Sequence, residues 1–84
     1  MKLKVGELGH LSDLQKGQVG LVKGLHNHNP FIKRRLLDMG ITTGVSISIK
    51  KVAPLGDPVS IALRGYELCI RKDDMAEIDI EVIK

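Results

Sequence analysis

From residue 45 onward the chain alternates between apolar and polar side chains, and that pattern restricts it more than any other feature of its 84 residues. Val45, Ile47 and Ile49 interleave with Ser46, Ser48 and Lys50, and Val59, Ile61 and Leu63 interleave with Ser60, Ala62 and Arg64. Leu68 and Ile70 flank Cys69, and Ile78, Ile80 and Val82 follow at the same spacing as a closing strand. A period of two puts the apolar members of each run on one face, so each reads as a half-buried strand. Between them Pro54-Leu55-Gly56-Asp57-Pro58 reverses the chain. Gly65-Tyr66 fits a two-residue hairpin turn with glycine first, and residues 72–77 suit one short helical turn.

The first half is more mixed. Leu11 to Leu14 reads as a short helical turn, and Lys16-Gly17-Gln18 as a bend. Val19 to Leu25 forms a strand with Val19, Leu21 and Leu25 on one face and Gly20, Val22 and Gly24 on the other. After the loop His26-Asn27-His28-Asn29, Asn29 can cap a helix whose first residue is Pro30. That helix is expected over about 30–39, with Ile32, Leu36 and Met39 inward, Lys33, Arg34 and Asp38 outward, and Gly40 as a left-handed stop. Residues 1–10 are either an extra strand or mobile.

About five short strands with one inserted helix, joined by tight turns, describe a small mainly-β barrel in a single domain over residues 1–84. An OB-fold shares the strand number, but its binding face carries stacking aromatics, and this chain has one Phe, one Tyr and no Trp. Its core must be aliphatic. The single cysteine, Cys69, can close no intrachain disulfide and supply no cysteine-rich zinc site, as expected in a reducing cytoplasm. Met1-Lys2-Leu3-Lys4 opens no apolar leader, and no apolar run spans a bilayer, so a soluble protein without membrane insertion is expected. The net charge of +3 is unevenly placed: residues 1–35 hold seven basic and two acidic side chains, residues 73–84 one and five. The two ends can pair across a compact fold.

Arg34-Arg35-Leu36-Leu37-Asp38-Met39-Gly40-Ile41-Thr42-Thr43-Gly44 is followed by Ala53-Pro54-Leu55-Gly56-Asp57-Pro58 and then by Arg64-Gly65-Tyr66-Glu67-Leu68. This ordered trio resembles the FeoA family, ferrous iron transport protein A. The resemblance covers roughly residues 11–82 and is densest over 34–72. It implies an SH3-like barrel and a cytoplasmic role beside the membrane transporter FeoB, whose cytosolic part is a GTPase. It carries no catalytic residues, and no enzyme motif stands elsewhere in the chain.

Leu55 is the most informative single residue, because a turn tip is normally polar. It either folds back over the barrel end or is an apolar anchor presented to a partner by Pro54, Gly56, Asp57 and Pro58. Lys33 and Arg34, with Arg35, offer charge to an acidic partner, and Lys50 and Lys51 are candidates to extend that patch. His26 and His28 are the candidate metal ligands, suited to a weakly held divalent transition metal such as iron or zinc. Further ligands would come from His10, Asp13, Asp38 or Cys69. The leading expectation is thus a non-enzymatic module that docks on a FeoB-type transporter. A metal-responsive regulator is the alternative. A small basic nucleic-acid-binding barrel is the third, opposed by the modest charge and the lack of an aromatic platform.

Overall fold

A computed structural model of the chain describes residues 3–26 and 29–84. In order these form β1 (Leu8–His10), a 3-10 turn (Leu11–Asp13), β2 (Val19–Leu25), α1 (Pro30–Asp38), β3 (Ser46–Val52), β4 (Val59–Leu63), β5 (Tyr66–Ile70), α2 (Lys72–Met75) and β6 (Ile78–Val82). The strands make one six-stranded sheet in the order β1-β6-β2-β3-β4-β5, antiparallel at every junction. The sixth strand comes from within residues 1–10: Leu8–His10 pairs with β6. Among the described residues no ladder joins β1 to β5, so the barrel has one open seam.

The inward members of the alternating runs meet in one aliphatic core. Ile47, Ile61, Ile78 and Val82 are fully buried, joined by Leu11 from the 3-10 turn, Leu36 from α1 and Ile41 after it. Each such side chain contributes roughly 1.5–3 kcal/mol through its removal from water. Strand β2 departs from the expected facing. Val22 is fully buried, whereas Val19 and Leu21 are only half-buried and Leu25 packs on the core. Leu25 leaves the face of Val19 and Leu21 because the β2–β6 register is irregular between Val22 and Gly24. One extra residue resets the alternation, so Val22 and Leu25, three apart, both point inward.

The β4–β5 hairpin turns on Arg64-Gly65, one residue earlier than the sequence suggests, with φ of +50° and +84°. A two-residue turn with both central residues left-handed matches strand twist, and Arg64 accepts that conformation. The resulting register seats Val59 opposite Ile70 and Ile61 opposite Leu68. A turn at Gly65-Tyr66 would instead have left Val59 facing Lys72.

Helix α1 follows its caps. Asn29 Oδ1 accepts a bond from Phe31 N at 2.9 Å, and Pro30 occupies the first turn, where no amide is missed. Leu36 is its buried residue, flanked by half-buried Ile32 and Met39. The chain leaves the helix through Gly40 at φ +89°, and a Cβ there would lie 2.7 Å from the Tyr66 hydroxyl. That hydroxyl donates to the Met39 carbonyl and ties the helix end to β5. Among the described residues no helix is long and apolar enough to cross a membrane.

Two substitutions test this packing in urea unfolding. Ile61→Ala should lower stability by about 2–5 kcal/mol, the cost of a cavity in a core without slack. Gly40→Ala should cost about 1–2 kcal/mol through the forced left-handed backbone, with the Tyr66 contact adding to it; a neutral result would show that the helix end is free to move.

Candidate docking surface and histidine cluster

Leu55 does not fold back. Its side chain is 97% exposed at the tip of the turn between β3 and β4. The turn beneath it is braced on both sides. Gly56 N donates to Ala53 O at 2.7 Å, and Ala53 N donates to Pro58 O at 3.2 Å. Asp57 Oδ1 accepts from Lys72 N at 2.8 Å. Lys72 is the first residue of α2, whose preceding residue Arg71 supplies no side-chain cap, so Asp57 fills that place from a distant turn. Asp57 therefore positions the turn, and Leu55 is the group it presents.

The other end of α2 reaches α1. Arg35 Nη2 donates to both carboxylate oxygens of Asp74 at 2.8 Å. Met75, one residue on, is buried in the core. Through α2, the Leu55 turn and α1 are fixed relative to one another. On α1, Lys33 and Arg34 are exposed as expected, with Arg34 Nε 3.7 Å from Asp38 Oδ1. Arg35, by contrast, is engaged with Asp74 rather than available to a partner. Phe31 lies one turn before Arg35 on the same helix side and is 84% exposed. The sequence carried a signal for it, since Phe31 falls outside the Ile32–Leu36–Met39 stripe. Lys50 does not extend this patch through the groove it lines: its neighbours there are Lys16, Lys84 and residues of the paired strands β2 and β3, and none of the lining residues is from α1.

The histidines gather elsewhere. His28 lies outside the described residues. His26 follows β2 and meets His10, the last residue of β1, with Asp79 of β6 between them. Register dictates this: His10 stands directly opposite Asp79 across the β1–β6 pair, and Gly24 opposite it across β2–β6, leaving that flank open. His26 Nδ1 lies 2.8 Å from Asp79 Oδ1, His10 Nε2 lies 3.5 Å from the same oxygen, and the two rings are 5.1 Å apart. Of the further ligands expected, His10 joins this group and Asp13 stands behind it, its Oδ2 3.7 Å from His10 Nδ1. Neither Asp38 nor Cys69, an exposed thiol on β5, belongs to it. Asp79 and Glu77 were not singled out from the sequence, although the inward Ile78 and Ile80 already put Asp79 on the outer face.

The His26–Asp79 contact and the ion pair of Lys23 Nζ with Glu81 Oε1 at 3.5 Å join the front of the chain to its acidic tail across the sheet.

The chain is similar to several known proteins. Over 73 residues, 87% of its length, it is 33% identical to a Porphyromonas gingivalis protein described as a fusion of Fe(2+) transport protein A with the Fe(2+) transporter FeoB; it spans 8% of that protein. A solution structure of a FeoA-like protein from Clostridium acetobutylicum superposes with a TM-score of 0.85 at 33% identity, covering 93% of this chain and 90% of the other. A crystal structure of Stenotrophomonas maltophilia FeoA complexed with zinc, described as a prokaryotic SH3 domain protein, shares the fold at a TM-score of 0.75 and 20% identity, covering 86% and 88%. The family model for the FeoA domain matches residues 9–82, and with it the chain belongs to the FeoA family of ferrous iron transport.

Proposed function

We propose that this chain is a non-enzymatic accessory of ferrous iron uptake that docks on the cytosolic part of a FeoB-type transporter, at the inner face of the membrane. The observation that carries the reading is Leu55: a large apolar side chain, 97% exposed, on a turn held from both sides. Leaving such a group in water is unfavourable unless it is buried on binding, and a braced turn has little conformational entropy left to lose when it docks. The Porphyromonas gingivalis fusion supports the choice of partner, because fusion keeps two modules at high mutual concentration.

The proposed surface has Leu55 at its centre, Pro54, Gly56, Asp57 and Pro58 as its support, and the exposed face of α1 at its side. Phe31 supplies a second apolar group there, and Lys33 and Arg34 supply charge. Charge at such a rim mainly speeds and orients the encounter, while the apolar centre sets the lifetime of the complex.

An amide-NMR titration of the labelled chain with the cytosolic GTPase domain of its cognate transporter, in both nucleotide states, tests this. Shifts should cluster at residues 53–58 and on the exposed side of α1. Leu55→Asp should abolish them while moving the melting temperature by less than about 2 °C, since the side chain packs on nothing. Binding that survives Leu55→Asp would remove the turn from the interface.

A further inference from the structure

We propose that His10, His26 and Asp79 form a binding site for a first-row divalent transition ion, built on the outer face of the β1-β6-β2 strands and separate from the docking surface. The ligand set is two imidazole nitrogens and one carboxylate oxygen, all within 4.8 Å of one another. Borderline divalent ions such as zinc, cobalt or ferrous iron favour this combination, whereas calcium and magnesium favour oxygen alone. Ligands about 2.0–2.1 Å from a tetrahedral zinc ion stand roughly 3.4 Å apart. His10 Nε2 and Asp79 Oδ1 are already 3.5 Å apart. His26 Nδ1, at 2.8 Å from that oxygen, is at hydrogen-bond distance and must withdraw by a few tenths of an ångström. All three side chains are near half-exposed, so they have room to make that adjustment.

The second observation concerns the far side of each ring. His10 turns its other nitrogen, Nδ1, towards Asp13 Oδ2 at 3.7 Å, and His26 turns its other nitrogen, Nε2, towards Glu77 Oε2 at 3.4 Å. A carboxylate behind a ligating imidazole fixes its tautomer and makes the ligating nitrogen a better donor. Here each ring has a carboxylate at ion-pair distance behind it, 3.7 and 3.4 Å away. Asp13 Oδ2 already accepts from His10 N at 2.9 Å, and a small ring movement would bring each carboxylate into hydrogen-bond reach. Surface ion pairing alone would account for one carboxylate per histidine; this arrangement places Asp79 between the rings and a further acid behind each.

The proton balance is also provided for. Without an ion, His26 Nδ1–H donates to the Asp79 carboxylate. When an ion takes Nδ1, a neutral ring carries its hydrogen on Nε2, the nitrogen that faces Glu77 Oε2 at 3.4 Å. A groove lined by Leu8, Gly9, Lys23 and Ile80 opens beside His10 and Asp79, and water or a donor from another molecule would enter there to complete the shell of a bound ion.

Calorimetric titration of the intact chain with zinc chloride, paralleled by visible spectra with cobalt(II), tests the assignment. One ion should bind per chain, with the ligand-field bands of a low-symmetry four- or five-coordinate cobalt centre. His10→Ala, His26→Ala and Asp79→Asn should each weaken binding by about tenfold or more, and Glu77→Gln by about tenfold, with amide spectra otherwise unchanged. His28→Ala should leave affinity within about twofold. Nitrogen-15 spectra of the imidazoles should show the His26 hydrogen moving from Nδ1 to Nε2 on zinc addition. No binding at millimolar zinc, or binding that survives His10→Ala and Asp79→Asn but not His28→Ala, would overturn the proposal. Because the isolated chain is used, neither outcome bears on transporter docking.

Discussion

Strand β2 has to pass close against β6, and much of the architecture depends on that contact. The core holds no aromatic ring, so its volume is filled by branched aliphatics set close to neighbouring backbone. Gly20 is the place on β2 where this matters. A Cβ there would lie 2.9 Å from Leu14 Cδ1 and 3.2 Å from Ile80 Cβ. Without a side chain at 20, Ile80 and Leu14 can lie directly against the β2 backbone, and β6 stays in register between β1 and β2. Interiors packed to crystal-like density have no spare volume for even one methyl group at such a place.

Helix α2 plays a comparable part. It has four residues, too few to be stable alone, and each of three contacts it makes has a different character. Met75 anchors it in the core, both carboxylate oxygens of Asp74 accept from Arg35 Nη2 of α1, and the amide of Lys72 is capped by Asp57. The cost of ordering so short a segment is offset by partners from three separate parts of the chain. In return, an exposed leucine and an exposed helix face are kept in a fixed relation without lying on a common element. The histidine cluster sits on the β1-β6-β2 strands and depends chiefly on their register.

Much of this was legible in the sequence because period-two patterns and caps are local. The inward residues of β3, β4, β5 and β6, the Asn29 cap and the Gly40 exit all follow from neighbours within a few positions. The misplaced features are ones in which tertiary pairing decides. Whether Leu25 shares a face with Leu21 or with Val22 depends on a bulge against β6, residues distant in sequence. Arg64 takes a left-handed turn position, which its residue type disfavours, because the register it creates keeps Val59 opposite Ile70. Likewise the position of Leu55 on a turn was readable, but not whether it stood free. His26 could be picked out, whereas its neighbours His10 and Asp79 come from opposite ends of the chain and meet only across paired strands.

That β6 lies between β1 and β2 also governs the order in which the structure can assemble. The two N-terminal strands are not partners of each other; each pairs with a strand about 55 to 70 residues further along. Until residues 78–82 are available, β1 and β2 leave their ladder groups unmatched on the sides β6 will occupy, and the inward side chains of half the sheet lack a cover. Closing so long a loop is slow compared with forming a hairpin such as β4–β5, so the local hairpin precedes the central strand. During synthesis, the chain remains an incomplete sheet with two receptive edges until β6, its last described strand, has emerged.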